Sequence, residues 1–159
     1  MINKKILLTS VCLIFFLLLG YGKTALRDEL PSLKLLSDYA KGEKTVKKAI
    51  KYESKRKYKK ANKLYSRALE HFLTANKDIP ASPDIYFYLG FISKKLKKML
   101  DAEIYYLLGV EIEPNNIKIN SNLSKLYIEM NRLDEAKNRL KVLKNCQCKE
   151  YEELKNLVK

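Results

Sequence analysis

Residues 84–114, DIYFYLGFISKKLKKMLDAEIYYLLGVEIEP, decide the fold of this chain. Two segments in which apolar residues recur at helical spacing flank a turn at Lys97-Lys98, and Pro114 closes the unit. Small or apolar residues recur along both segments, at Tyr86, Leu89, Gly90, Ala102, Tyr106, Gly109 and Pro114. A similar spacing returns in the next stretch of the chain. The pattern therefore predicts one unit of a repeated helix-turn-helix.

The same arrangement extends to both sides of this unit. In the stretch from Thr45 the packing positions are Ala49, Tyr52, Tyr58, Ala61, Tyr65, Ala68 and Leu69. From Ile117 to Leu143 they are Leu123, Ser124, Tyr127, Ala136, Leu140 and Leu143. The step from the central alanine Ala61 to Ala102 is seven residues longer than the step from Ala102 to Ala136. Seven additional residues make about two helical turns, so we expect a longer second helix in the first unit.

The repeated unit resembles the tetratricopeptide repeat (TPR) over about residues 45–143, most closely from Asp84 onward. The resemblance implies an all-α helix-turn-helix solenoid of about three repeats, in which the first helix of each unit lines a concave groove. Stacking is obligatory because one unit cannot bury its own apolar face. The chain departs from the motif at Ser93, which takes the usual tyrosine position, and at Leu143, and it has no Trp. As a whole it looks like small exported bacterial TPR proteins.

Four segments follow from these patterns. Residues 1–22 form a signal peptide or signal anchor, and residues 23–44 a lead-in with a short helix from about Pro31 to a stop at Gly42. Residues 45–144 form the TPR solenoid, and residues 145–159 a capping helix at its end. Within the solenoid, Ser82 is expected to cap a helix that has Pro83 at its first position. Asn131 suits a turn because it tolerates a left-handed backbone.

The N-terminal segment differs in composition from the rest of the chain. Lys4 and Lys5 precede an apolar run, residues 6–19, and Gly20-Tyr21-Gly22 supplies small residues two apart. This pattern is typical of a secretory signal peptide. The sequence therefore predicts an exported protein, in the periplasm of a bacterium, with anchoring in the inner membrane by residues 6–22 as the alternative. An apolar run of this length is short for a membrane span, which needs about 20 residues.

The formal net charge of +14 is concentrated in the first unit. Nine basic residues lie between Lys47 and Lys63, opposed only by Glu53, and the basic surface centres on Lys55, Arg56, Lys57, Lys59 and Lys60. Nucleic-acid proteins combine such charges with exposed aromatics. Tyr52 and Tyr58 fall on repeat-packing positions instead, which disfavours nucleic acid. The basic surface could instead bind anionic lipid headgroups or an acidic protein partner. The alternative is that it has no binding function and is simply exposed to solvent.

Groove positions are carried over from the TPR resemblance. They are Val46, Ile50, Phe87, Phe91, Lys94, Lys95, Lys118, Lys125 and Ile128. This mixture of aromatics and lysines suits an apolar, acidic peptide or a partner helix. Some TPR domains hold a C-terminal carboxylate with a Lys/Asn/Arg set. Asn122 and Lys125 match that set in part, but Phe87 and Phe91 stand where it needs polar groups, so we do not expect that mode.

Few residues of this chain are candidates for catalysis, redox chemistry or metal binding. Cys146 and Cys148 lie two apart in a turn and could form a disulfide outside the cytoplasm. A zinc site is disfavoured because the further ligands are missing and His71 is the only histidine. The sequence has no phosphate-binding glycine loop, HExxH motif or nucleophile elbow. We therefore predict a protein that is not an enzyme and has no cofactor, metal or small-molecule substrate.

The functional prediction is a TPR scaffold in the cell envelope that binds a protein partner in its groove. Two alternatives stay open. One is a thiol-redox protein that uses Cys146 and Cys148. The other is a basic protein that binds an anionic membrane surface or polymer through its first unit.

Overall fold

The computed structural model describes residues 31–158, with side chains from Asp38 onward. The predicted signal segment, residues 1–22, lies outside the described residues. Within the described range the secondary structure is entirely helical, in seven helices. They are α1 (Pro31–Ser54), α2 (Tyr58–Asp78), α3 (Pro83–Lys95), α4 (Met99–Ile112), α5 (Ile117–Glu129), α6 (Leu133–Leu143) and α7 (Lys149–Leu157). None of these helices is long and apolar enough to cross a membrane.

Residues from Leu35 onward form one compact unit. From α2 onward each helix packs against the next, and further contacts join α3 to α5 and α5 to α7. The helices α1, α3, α5 and α7 thus form a row whose exposed side is called the first-helix face below. Helices α2, α4 and α6 are the second helices of the three pairs. This arrangement confirms the predicted all-α TPR-type solenoid with a helix at its C-terminal end.

The predicted small positions lie at the centre of the stack. Ala61, Ala102 and Ala136 are fully buried, or within 1% of it. Gly90 faces the buried ring of Tyr106, and a Cβ atom at this glycine would lie 2.6 Å from the ring. Since real Cβ atoms do not approach other atoms so closely, only glycine lets α3 approach α4 at this point. The packing reason predicted for these residue types is confirmed.

The turn inside each pair has the same backbone geometry. Arg56, Lys97 and Asn131 all have a positive φ, between 56° and 64°. In each turn the amide of the following residue donates to a carbonyl five residues earlier, at 2.8–2.9 Å. This is the hydrogen bond of a Schellman-type helix end. The turns predicted at Arg56-Lys57, at the Lys-Lys pair and at Asn131 are confirmed.

The expected cap at Ser82 is present, and the structure adds a second cap at Asn116. The Ser82 hydroxyl accepts a hydrogen bond from the Ile85 amide at 3.4 Å, and Pro83 is the first residue of α3. The Asn116 side chain caps α5 by accepting from the Ile119 amide at 3.0 Å. Each cap satisfies an amide that has no partner inside its helix.

The first pair differs from the sequence prediction in one respect and confirms it in another. Gly42 does not stop a helix, because α1 runs unbroken through it to Ser54. A Cβ atom at Gly42 would lie 2.7 Å from the Phe72 ring, so this glycine serves a close helix approach. The predicted boundary between residues 44 and 45 therefore falls inside α1. The longer second helix is confirmed, since α2 has 21 residues and α4 has 14.

Tyr58 was predicted to pack in the repeat, and this prediction is wrong. It is the first residue of α2, and 59% of it is exposed. Tyr65, two turns further along α2, fills the core position instead. The case against nucleic acid therefore no longer rests on Tyr58, although Tyr52 is half-buried as expected.

Candidate functional site

Three ion pairs connect successive helices of the first-helix face. They are Lys95–Glu53 (2.9 Å, α3 to α1), Lys94–Glu129 (2.7 Å, α3 to α5) and Lys125–Glu153 (3.4 Å, α5 to α7). Three of the lysines predicted to attract an acidic partner are therefore already opposed by glutamates of this chain. Exposed ion pairs contribute little stability, about 0–1 kcal/mol each. Their main effect is to compensate the charge of three of the lysines on this face.

Glu53 is the best-connected member of this series. Its carboxylate accepts hydrogen bonds from the Tyr65 hydroxyl at 2.7 Å and from the Lys95 ammonium at 2.9 Å. Burial by itself would raise the pKa of Glu53, but these two hydrogen bonds and the charges of Lys95 and Lys97 outweigh it, so the pKa is lowered. The pKa of Tyr65 is raised by burial and by the same carboxylate. Glu53 therefore stays ionised and holds the end of α1 against α3.

A cavity of about 250 Å³ opens between these ion pairs. Its lining consists of Glu53, Phe91, Lys94, Lys95, Lys97, Asn122 and Glu129. The apolar part is the half-buried ring of Phe91, which lies edge-on to Tyr65 with their centroids 6.3 Å apart. Lys97 is the one lining cation that has no acidic ion-pair partner among the described residues. The structure thus brings together Phe91, Lys94 and Lys95, as predicted from the sequence, and adds Asn122 from α5.

Other predicted groove residues are less accessible than expected. Phe87 is only 7% exposed, and the Lys118 ammonium lies over its ring, 3.9 Å from the centroid. Val46 is 4% exposed and belongs to the core between α1 and α2. Both were expected to line an open groove, and burial in the helix packing overturns that expectation. Ile50, at 43% exposed, is open to solvent as predicted.

The glutamates of the ion-pair series were missed at the sequence level. Glu53 stands three residues before the turn residue Arg56, and Glu129 two residues before Asn131. Lys94 and Lys95 stand three and two residues before Lys97 in the intervening repeat. Once the repeats are aligned on their turns, opposite charges alternate at the ends of successive first helices. That alternation was the available signal.

The basic surface is exposed, and its cations lack acidic partners. Its five predicted members, Lys55, Arg56, Lys57, Lys59 and Lys60, are all exposed. Four of them surround Tyr58 in a shallow hollow of about 450 Å³. A second hollow of about 190 Å³ lies between α1 and α2, lined by Lys48, Tyr52, Lys60, Lys63, Leu64 and Arg67. Over the described residues none of these cations forms an ion pair with an acid, in contrast to the first-helix face.

Cys146 and Cys148 form a disulfide in the connection between α6 and α7. Their Cα atoms lie 5.1 Å apart, and the intervening Gln147 has a positive φ of 48°. Cys148 immediately precedes α7, whose Leu154 is fully buried against the stack. The thiol-redox alternative stays a prediction. Across residues 31–158 no cluster of three or more potential metal ligands is present.

Solved structures with similar backbones are TPR domains. The first TPR of Spaghetti (RPAP3), bound to the HSP90 peptide SRMEEVD, has a TM-score of 0.51 and 23% identity, covering 74% of this chain and 90% of that chain. The Arabidopsis OM64 TPR domain has a TM-score of 0.52 and 17% identity, covering 76% and 96%. The TPR2B domain of yeast Sti1, in a complex with pHsp70, has a TM-score of 0.52 and 17% identity, covering 75% and 94%.

No protein-family model and no curated protein sequence matches this chain. The structural likeness, at these low sequence identities, concerns the fold. The chain therefore has a TPR-type fold, by its backbone and by the packing of its repeats.

Proposed function

We propose that this protein is a non-catalytic interaction module that binds a peptide or a partner helix on its first-helix face. The observation that carries the proposal is the cavity at Phe91, in which an aromatic ring lies between charged side chains of α1, α3 and α5. TPR domains of similar backbone include one bound to an HSP90 peptide and one in a complex with pHsp70. Their common fold supports a protein as the ligand.

The ion-pair series changes the expected chemistry of that partner. An acidic peptide must displace Glu53 or Glu129 from their lysines, whereas Lys97 is available to receive a carboxylate. We therefore expect a ligand that places an apolar side chain on Phe91 and a carboxylate beside Lys97, and that has few other acidic groups. General attraction to acidic peptides should be weaker on this face than the number of its lysines suggests, because three of them are already compensated by glutamates.

Site-specific photo-crosslinking tests this proposal. A crosslinker placed at Asn122, in the cavity, should capture a discrete partner in cells that naturally make the protein, and one at Ser66 on α2 should not. Lys97→Glu should weaken the capture, while Lys98→Glu, a matched change in the neighbouring residue outside the cavity, should leave it intact. Equal capture from both crosslinker positions would rule out the first-helix face as the binding site.

We also propose that the module works outside the cytoplasm, on the strength of the signal-like pattern in residues 1–22. Cell fractionation and the mass of the mature N-terminus test this. Recovery of an uncleaved chain from the cytoplasm would contradict it, whereas an uncleaved chain in the membrane fraction would favour the anchor.

The basic surface supports a second function, contact with an anionic membrane. Its uncompensated cations and the exposed ring of Tyr58 match the headgroup region, where each Lys or Arg contributes about 1 kcal/mol. Sedimentation with vesicles containing phosphatidylglycerol, at two salt concentrations, measures this contact. Charge reversal at Lys55, Lys57, Lys59 and Lys60 should abolish it. Unchanged sedimentation of that variant would exclude the basic surface from membrane binding.

A further inference from the structure

Helix α4 has an unusual composition for this chain. It is the one described helix without Lys or Arg, in a protein of net charge +14. Its inward side, Ala102, Tyr106 and Gly109, is buried. Its outward side is also apolar, because Leu100, Ile104 and Leu107 are 67%, 56% and 42% exposed. Apolar residues on a helix are normally turned toward a packing partner, but among the described residues nothing covers the outward side of α4.

The exposed residues of α4 follow a defined spacing. Leu100, Ile104, Leu107 and Glu111 are separated by four, three and four residues, which is the seam spacing of a two-helix coiled coil. Side chains at this spacing form a line along one side of a helix. A straight apolar line of about two turns fits another helix laid along it, whereas a flat or globular surface would leave much of it uncovered.

Charges beside the apolar seam and at its C-terminal end, where Glu111 continues the line, are acidic and partly unpaired. Glu103, on one flank, is paired with Arg132 of the next unit at 2.7 Å. Asp101 and Glu111 are exposed, and neither forms an ion pair within the described residues. The free charge along this seam is therefore negative. A complementary helix would carry Lys or Arg beside its own apolar seam.

We propose that the outer side of α4 is a docking site for a basic amphipathic helix of another protein. This goes beyond the proposed function, because no α4 residue lines the cavity at Phe91. The helix packs its apolar seam on Leu100, Ile104 and Leu107 and places its cations against Asp101 and Glu111. The apolar seam spans seven residue steps, from Leu100 to Leu107, and is therefore about 10 Å long. Contacts of that size belong to the weak and transient class, so the dissociation constant is expected to be micromolar.

The net charge of the chain makes the choice of ligand a strict test. A Lys-rich peptide is repelled at long range by a strongly basic protein, so nonspecific attraction cannot produce its binding. At physiological salt the Debye length is about 8 Å, so the distant lysines are largely screened. The acids beside the seam then dominate the electrostatic interaction with the peptide.

The experiment measures fluorescence anisotropy of two labelled synthetic helices with the full chain. Both peptides have Leu at the seam positions, and they carry either Lys or Glu at the flanking positions. Each is kept at low concentration so that it does not pair with itself. The Lys peptide should bind, and L100Q/I104Q/L107Q should weaken it by about tenfold or more. The control L73Q/V142Q changes apolar residues of α2 and α6 that are also exposed, at 38% and 37%, and should bind like the wild type.

Charge reversal completes the test. D101K/E111K should weaken binding of the Lys peptide and should create binding of the Glu peptide. Adding the L100Q/I104Q/L107Q changes to this variant should then remove the binding of the Glu peptide. The proposal is overturned if the wild type does not bind the Lys peptide, or if the α2 and α6 control loses as much affinity as the seam variant. Self-association of the full chain that the seam variant abolishes would also overturn it, since the occupant would then be a second copy. Failure at α4 leaves the crosslinking result at Asn122 unaffected, and the reverse also holds.

Discussion

The first helix pair, α1 and α2, and the middle pair, α3 and α4, are alike inside and opposite outside. In each pair a glycine of the first helix lies against an aromatic ring of the second: Gly42 against Phe72, and Gly90 against Tyr106. Outside, the basic surface of the first pair presents cations without acidic partners among the described residues, whereas α4 presents an apolar seam with free acids. The repeat therefore specifies how two helices approach each other and leaves the outer side chains free to differ. Binding functions are to be sought in those outer differences.

The largest expected effect tests the shared interior. Gly90→Val forces side-chain atoms into the ring of Tyr106, deep between α3 and α4, and should lower the free energy of unfolding by about 3 kcal/mol. Gly42→Val should cost about 1–2 kcal/mol, because α1 is the first helix of the described stack and can shift more easily. Urea denaturation followed by circular dichroism measures both. An equal or larger loss for Gly42→Val would mean that α1 is held as rigidly as α3.

Tyr65 and Tyr106 occupy the same repeat position, four residues after the central alanine. Their hydroxyl groups are a further difference between the first and the middle helix pair. The Tyr65 hydroxyl donates to Glu53, but the buried Tyr106 hydroxyl has no hydrogen-bond partner among the described residues. Tyr65→Phe should therefore cost about 1.5 kcal/mol, whereas Tyr106→Phe should stay within about 0.5 kcal/mol of the wild type or stabilise it. The same denaturation experiment decides. A large loss for Tyr106→Phe would mean that its hydroxyl is hydrogen-bonded.

Glu53 makes the first pair sensitive to pH. Its pKa is lowered in the folded protein from the ordinary value of 4.5. A carboxylate with a lowered pKa adds stability above about pH 4.5, and this contribution disappears as the pH falls through the folded pKa. The wild type should therefore lose stability as the pH falls from neutral into the acid range below about 4.5, and Glu53→Gln should show a shallower decline. Thermal melts across this range, with Glu70→Gln on the exposed side of α2 as control, measure it. Parallel profiles for wild type and Glu53→Gln would show that this carboxylate does not couple to folding.

The smallest effects are expected at the outer surfaces themselves. Tyr58 on the basic surface and Leu100 on α4 are both mostly exposed. Tyr58→Ser and Leu100→Ser should therefore each change the free energy of unfolding by about 0.5 kcal/mol or less. Each substitution should nevertheless weaken binding at its own surface. Tyr58→Ser should weaken binding to the vesicles, and Leu100→Ser should weaken binding of the Lys peptide. A loss of stability well above that size in either variant would mean that the residue is packed against the protein and not free for a ligand.

Much of the fold could be predicted from local patterns. The turn at Asn131, the cap at Ser82 and the bounds of α4 follow from residue types whose backbone preferences act within a few positions. The longer α2 follows from a seven-residue excess, because two whole turns keep the same side of the helix inward. Gly42 was misjudged because a glycine at a helix end and a glycine under an aromatic ring look the same in sequence. Phe72, which distinguishes them, lies on the following helix, far from Gly42 along the chain.

The candidate site was less predictable for a related reason. Lys94, Lys95 and Lys125 were correctly placed on first helices, but their charges are opposed by glutamates of other helices. Phe87 was expected in the open, although the neighbouring unit covers it. Both outcomes depend on which side chains meet across successive helices, and that depends on the distance and rotation between repeats.

By itself, the sequence determined the helices, their pairing and the concentration of positive charge in the first unit. These features are local, since they depend on spacing, caps and composition. Only the tertiary structure decided that three lysines of the first-helix face are paired with glutamates and that the cations of the basic surface are not paired with acids among the described residues. It also decided that Leu100, Ile104 and Leu107 of α4 are exposed. Packing between distant segments sets these properties, because it alone determines which charges find partners and which apolar residues stay in contact with water.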